Sequence, residues 1–359
     1  MQRKDIPPLT TLRFPAAGAI VLSHYLTLLN LPTWYFENLS LGVSFFYVLS
    51  GFILYYNYSE LKNRTAFWVA RVARIWPIHL ITCGLVLSCL PFNYILGHDH
   101  WYYTLPLNLL LVQAWVPFKG SVFSFNGVAW SLSVEAFFYL SFPLLLILLK
   151  RCGWWVLLCG SFSLGLLAFL LAQHFLPDRI DFGYYFPVCR LFEFILGMAT
   201  CAWWLKASHV GKNVRLWSVW ELGSLVIANL FVLVVAPVFT QFLALSPVER
   251  WMITPFTGLS FAVIIWVFAH QAGFFSRLFS TRMLVQLGEV SFSLYMCHQI
   301  VLRFLQIRTS AAAAPWEVFF ALYLTISIAL SYLIFYLVET PARHLIVNAY
   351  RRHAGSSPR

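Results

Sequence analysis

The sequence predicts an all-α integral membrane protein with about ten transmembrane helices, cytoplasmic N- and C-termini, and one re-entrant or surface segment near 101–130. Three observations carry this expectation. Of 359 residues, 60% are hydrophobic and only 10% charged, where a soluble domain carries about 25% charged residues. Apolar stretches of roughly 20 residues, the length a helix needs to cross a ~30 Å hydrocarbon core, recur from end to end. Lys and Arg are distributed unevenly between alternate connecting segments.

Apolar runs place helices near 12–30, 39–58, 76–95, 131–149, 154–174, 187–205, 219–239, 252–270, 286–307 and 316–338. The first run is too long, and too poorly followed by small residues, to be a removed signal peptide, so it reads as a retained helix. An eleventh candidate, Leu105 to Trp115, is short and flanked by His, Asp, Pro and Asn, which suits a re-entrant or surface segment. Charge decides in favour of ten crossings. Of the 24 Lys and Arg, only Lys119, Arg179, Arg250 and Arg308 then fall outside, Arg190 and Arg303 fall within helices, and the remaining 18 lie on the cytoplasmic side. The formal charge of +11 is thereby explained by anchoring beside an anionic leaflet, which argues against a nucleic-acid partner. Residues 1–343 read as one transmembrane domain and 344–359 as a short basic cytoplasmic tail, frayed beyond Arg343.

Six of seven cysteines (Cys83, Cys89, Cys159, Cys189, Cys201, Cys297) lie in apolar segments, as buried thiols rather than a disulfide framework. No CxxC, HExxH or clustered Cys/His spacing supports a metal site.

An ionisable residue inside a membrane helix costs of order 3 kcal/mol or more, so each needs a partner or a task. Arg13 opens the first helix and His24 follows eleven residues later, a rise of about 16 Å. Arg13 could be a snorkelling anchor and His24 a core histidine bonded across helices. Between the second and third helices, Arg71 and Arg74 stand three apart on one face of a membrane-proximal turn; they could clamp a phosphate or anchor lipid headgroups. Trp130-Ser131-Leu-Ser-Val-Glu135-Ala-Phe-Phe-Tyr139, preceded by Asn126, begins the fourth crossing from outside and brings Glu135 to a depth bracketing that of His24. There Glu135 could orient an imidazole base, or pair with an arginine. Arg190 and Glu193 form an i, i+3 pair whose default reading is a structural salt bridge. Ser291, Tyr295 and His298 share one helical face and could line a polar cavity. Gly42 to Gly51 places small residues where helices could approach closely.

Together these motifs resemble the acyltransferase 3 family of membrane acyltransferases. The matching elements are Arg13-x10-His24, Gly42-Val-Ser-Phe-Phe-Tyr-Val-Leu-Ser-Gly51-Phe, Arg71-x-x-Arg74, Trp130-Ser-Leu-x-x-Glu135-x-x-Phe-Tyr139, Arg190-x-x-Glu193-Phe-x-x-Gly197, Gly288-x-x-Ser291-Phe-Ser-Leu-Tyr295-x-x-His298 and Glu339-x-Pro341-x-Arg343. Singly each is weak, but they fall in the family's order over residues 9–343. Pro15 near the start of the first helix and Phe292 in place of a common Tyr are departures that remove no reactive group.

The resemblance implies a multi-pass protein of the bacterial inner membrane that transfers acetyl from cytoplasmic acetyl-CoA to a hydroxyl of a cell-surface polysaccharide, such as a xanthan-type exopolysaccharide or lipopolysaccharide, or of its lipid-linked oligosaccharide precursor. Acetyl-CoA is a donor substrate; no permanently bound cofactor is expected. The bilayer, the glycan acceptor and a polysaccharide-assembly machinery are the expected partners, and the stand-alone type without a fused SGNH domain is the expected architecture. His24 and Glu135 are the expected catalytic pair. Arg13, Arg71 and Arg74 are expected to meet acyl-CoA, and Asn126, Trp130, Ser131, Tyr139, Arg190, Glu193, Ser291, Tyr295 and His298 to shape the cavity. A polytopic transporter or flippase of a glycan is the alternative, since intramembrane Arg, His and Glu also mark transport pathways, but no two-half repeat or pair of broken helices supports it.

The topology is testable. A cysteine introduced in the 96–125 segment is expected to react with an impermeant thiol reagent from outside the cell; labelling only from the cytoplasmic side would overturn the ten-helix arrangement.

Overall fold

The computed structural model describes residues 5–28, 37–91, 101–117, 119–176, 182–207, 213–236, 238, 247–308 and 315–355. Among them the chain is helical throughout, with no strand. Seven helices are long and apolar enough to cross a membrane, including Arg64–Cys89, Pro187–Ala207 and Trp251–Ala269. These are the elements of a multi-pass membrane protein. The helices expected at 12–30 and 286–307 are present as Arg13–Leu28 and Arg282–Arg308 but lie outside those seven. Residues 29–30, 92–95, 237 and 239, expected to be helical, lie outside the described residues.

Three boundaries differ from the sequence reading. The third helix begins at Arg64 rather than near 76, because Asn63 caps it by accepting a hydrogen bond from the Ala66 N–H. Arg71 and Arg74 are therefore helical, not in a turn between helices. Tracts 131–149 and 154–174 join as Trp130–Phe175, broken only where Gly153 takes φ 80°. The last helix does not fray at Arg343: a π-helical turn, Phe335–Glu339, carries it into Thr340–His353. The Leu105–Trp115 segment is a nine-residue helix, Trp101–Leu109, then a left-handed Leu111 and a 3-10 turn at Gln113–Trp115. Nine residues are too few to span, and irregular backbone at membrane depth is tolerated where protein covers it. Asn108, Gln113 and Ala114 are indeed fully buried.

The chain forms two compact units. The first comprises residues 1–60 and 144–289. At its centre, Gly42–Tyr58 packs against Leu191–Ala207 at backbone contact. A Cβ on Gly51 would lie 1.9 Å from the Phe194 carbonyl oxygen, and one on Gly197 would lie 1.9 Å from that of Val48. Two glycines facing each other's helix remove the only atoms that would hold the backbones apart, the device that drives close helix pairing where lipid supplies no hydrophobic force. Pro247–Ala269 packs on both helices, with Phe45 and Phe261 meeting edge to face at 5.7 Å. Val214–Leu230 joins it through Trp217, Val267 and Ala272. Glu221, fully buried, accepts backbone N–H bonds from Gly273, Phe275 and Ser276 and so closes the exposed start of Phe274–Phe279.

The second unit comprises residues 61–143 and 290–359. Arg64–Cys89 packs against the π turn and against Thr340–His353, while Cys83, Val86, Leu90, Phe125 and Ile300 form an apolar cluster. Trp76 Nε1 donates to the Leu109 carbonyl at 3.0 Å, fastening the short Trp101–Leu109 helix.

Gly51→Ala and Gly197→Ala are each expected to lose about 1–3 kcal/mol by overpacking. Gly84→Ala, with nothing within 4 Å of its added methyl, should be neutral or stabilising by about 0.5–1 kcal/mol. Thermal unfolding of the purified variants in one detergent measures both.

Candidate functional site

Three groups of expected residues are assembled within the units. In the second unit, residues 71 and 74 lie one turn apart on Arg64–Cys89, and residues 135 and 139 one turn apart on the helix that begins at Trp130. The Tyr139 hydroxyl donates to Glu135 Oε1. Arg74 hydrogen-bonds the Tyr139 side chain and faces the carboxylates of Glu135 and Glu339. Ser293 Oγ donates to Glu339 Oε2 at 2.7 Å. The Arg71 guanidinium lies over the rings of Phe67 and Tyr139, 5.9 and 5.6 Å from their centroids. Trp68 Nε1 fixes the helix pairing by donating to the Tyr139 carbonyl at 3.2 Å. Two cations, two carboxylates, a phenol and a serine thus form one polar cluster, linked by the Tyr139–Glu135, Arg74–Tyr139 and Ser293–Glu339 hydrogen bonds, with Arg71 over aromatic faces. Glu135 is half-buried.

Beside it, Tyr295 reaches Ser131 Oγ at 2.9 Å and the Val128 carbonyl at 3.2 Å. Ser131 in turn donates to Val128 O at 3.0 Å, and Asn126 Nδ2 donates to the Met296 carbonyl at 2.8 Å. Trp130 is buried over the same turn. Ser291, Tyr295 and His298 all lie on Arg282–Arg308, and Tyr295 docks that helix on the Gly127–Ala129 turn. His298 Nδ1 lies 2.7 Å from the Tyr295 carbonyl and 3.2 Å from that of Leu294. Carbonyl partners require the proton on Nδ1, which makes Nε2 the basic nitrogen.

In the first unit, Arg13 and His24 sit on the same helix, both half-buried, about 16 Å apart along its axis. Of the expected catalytic pair, His24 belongs to the first unit and Glu135 to the second. Arg190 is the largest fully buried side chain. Its Nε bridges Glu193 Oε2 at 2.7 Å, and Nη2 reaches Glu193 Oε1 at 3.1 Å and Ser44 Oγ at 2.9 Å. The rings of Tyr47 and Tyr184 cover it at 5.0 and 4.9 Å. Every face of the guanidinium is engaged, as in a structural lock tying Gly42–Tyr58 to Leu191–Ala207. Gly288 also has a packing role: a Cβ there would lie 2.0 Å from the Thr10 carbonyl.

Sequence reasoning gave Glu339 and Ser293 no site role, and singled out none of His79, Asn108, Gln113, Ser121 and Glu221, all buried. A polar residue within an apolar tract was the available signal for Glu221 and His79.

Seven long apolar helices among the described residues, with ionic side chains partnered between helices, define the class: a multi-pass membrane protein. The acyltransferase 3 family, described as an acyltransferase domain, matches residues 8–336, and the chain belongs to that family. Acyltransferase MdmB of Streptomyces mycarofaciens is 28% identical over 333 residues, 83% of this chain and 79% of that protein. A putative O-acetyltransferase of Staphylococcus aureus (strain COL) is 24% identical over 371 residues, 94% of this chain. The chain spans 57% of that relative's length. Nodulation protein 10 of Rhizobium leguminosarum bv. viciae is 26% identical over 365 residues, 93% of this chain and 92% of that protein. No solved structure matches the chain.

Proposed function

We propose that the protein is a membrane-embedded O-acetyltransferase that takes acetyl from cytoplasmic acetyl-CoA and esterifies a hydroxyl of a cell-surface polysaccharide or its lipid-linked precursor in the bacterial inner membrane. One observation carries the reading furthest: the Arg71, Arg74, Tyr139, Glu135 and Glu339 cluster inside apolar helices. Tyr139 hydrogen-bonds Arg74, the charges of Glu135 and Glu339 favour its guanidinium, and Arg71 lies over the Phe67 and Tyr139 faces; a pair of arginines so placed is suited to meet an anionic phosphate. Both termini lie in the cytoplasm in this reading, which brings the basic Thr340–His353 helix to the anionic leaflet. The names of the Staphylococcus aureus and Streptomyces relatives support acyl and acetyl transfer.

His24 is assigned the proton chemistry. As general base, it takes the proton of the acceptor hydroxyl while that oxygen attacks the thioester carbonyl; the C–S bond breaks and the CoA thiolate recovers the proton. As nucleophile, it first carries the acyl group on its imidazole and then yields it to the hydroxyl. Only the second route accumulates an acyl-enzyme when the acceptor is withheld. Apolar helices that keep bulk water from the thioester limit its hydrolysis. Proteoliposomes given acetyl-CoA and the acceptor glycan should release free CoA, and a total absence of release would overturn the reading.

Two variants separate donor binding from chemistry. Arg71→Ala should weaken acetyl-CoA binding by about 1.5–3 kcal/mol, roughly ten- to a hundredfold, while leaving thermal stability nearly intact. Arg74→Ala should also lower stability, because it removes the hydrogen bond to Tyr139 and the charge that faces Glu135 and Glu339. Unchanged CoA affinity in both would return the pair to lipid anchoring. His24→Ala should retain CoA binding and lose transfer by about 10² to 10⁴ or more. Near-normal transfer would instead point to His298.

A further inference from the structure

The second unit buries a set of polar side chains that the ionic cluster does not use. His79, Asn108, Gln113 and Asn126 are at most 1% exposed. Their donor ends are committed. His79 Nε2 faces the Asn108 carbonyl at 2.8 Å, so the proton sits on Nε2 and Nδ1 is an acceptor. The Asn108 amide donates to Ser124 Oγ, Gln113 Nε2 to the Ala129 carbonyl at 3.0 Å, and Asn126 Nδ2 to the Met296 carbonyl at 2.8 Å. Because two of those partners are carbonyls, the orientations of the Gln113 and Asn126 amides follow from the bonds themselves.

What remains is mostly acceptors. Asn108 Oδ1, Gln113 Oε1, Asn126 Oδ1, Gln299 Oε1 and His79 Nδ1 are buried and have no hydrogen-bond partner in the protein, and the Ser121 hydroxyl is in the same position. The five are acceptors, none of them a carboxylate, beside one hydroxyl that can donate or accept. Asn108, Gln113, Ser121 and Asn126 lie on one short stretch, which His79 meets at the Asn108 carbonyl and Gln299 at Gly127. Asn108 bonds Ser124, Gln113 bonds Ala129, and Gln299 Oε1 lies 2.5 Å from where a Cβ on Gly127 would stand. Gly127 thus leaves the room that this amide occupies. Buried unsatisfied acceptors are costly singly, and a concentration of them on one stretch is the mark of a place where donors arrive from outside.

We propose that this stretch, with His79, Asn108, Gln113, Asn126 and Gln299, forms a binding site for a hydroxyl-rich ligand of the polyol or glycan class. Neutral acceptors facing neutral hydroxyls discriminate by hydrogen-bond pattern without the desolvation cost of a charge. That the bound hydroxyls belong to the acyl acceptor rests on the function proposed above; the binding itself does not.

The test is titration of the protein in lipid nanodiscs with methyl α-D-glucopyranoside and methyl β-D-galactopyranoside, followed by tryptophan fluorescence, with tetrahydropyran as the hydroxyl-free ring. The expected result is saturable binding of at least one glycoside, none of tetrahydropyran, and at least tenfold weaker binding in Gln113→Met and Gln299→Met with CoA binding unchanged. Gln299→Met removes an oxygen that carries no hydrogen bond, so it should retain the wild-type melting temperature even where Gln113→Met does not. Absence of saturable binding in the wild type, or equal affinity in both variants, would overturn the site and assign these atoms to internal water. Glycoside binding without any acetyl transfer would retain the site and remove the proposed function. Transfer with glycoside-insensitive variants would do the reverse.

Discussion

A polar group inside apolar helices has to find its complement within the protein, and this constraint shapes both units. With 10% charged residues in 359, the chain carries few intramembrane ions, and those described in its helices are placed with care. Arg190 is engaged on all sides by Glu193, Ser44, Tyr184 and Tyr47. Glu221 is satisfied by three backbone N–H groups. Arg74 is held by Tyr139 and faces two carboxylates. Arg71 differs in its surroundings: its guanidinium lies over the faces of Phe67 and Tyr139, which attract a cation.

The same logic explains what could be read from sequence. Helix existence was legible because a run of apolar residues in a chain of this composition has few other solutions. The break between the fourth and fifth expected helices was visible in Lys150, Arg151 and Gly153, and Gly153 is where the backbone turns. The start at Arg64 was hidden because Arg64, Arg71 and Arg74 depress hydropathy, while helix formation depends on the Asn63 cap and on backbone bonds that hydropathy does not register. Within the site, the proximity of Arg71 and Arg74 was legible from their three-residue spacing, and Glu135 and Tyr139 were singled out in one motif. Their meeting was not, because it depends on tertiary packing. Ser293 and Glu339 each stood in a matched motif, but their contact was not legible: residues 46 apart in sequence carry no local signal of it. The buried amides of Asn108 and Gln113 were lost in a segment whose short length suggested surface.

The close pairing of Gly42–Tyr58 with Leu191–Ala207 and the Arg190 lock act on the same two helices by different means. Reciprocal glycines bring the backbones together, and the lock gives that approach one register, since Ser44 must meet Nη2 while Tyr47 covers the guanidinium. Contact without the lock would leave the helices free to slide, and the lock without contact would bury a charge in a loosely packed interface.

The π turn at Phe335–Glu339 carries a consequence of another kind. A π turn holds one residue more than the α turn it replaces, so side chains beyond it are rotated by about 100° relative to an uninterrupted helix. Glu339 closes that turn and meets Ser293. Loss of a single residue from this stretch would relax it to ordinary α-helix and swing the carboxylate to another face, even with Glu339 itself retained. The position of this carboxylate is therefore set by the number of residues before it and not by their side chains.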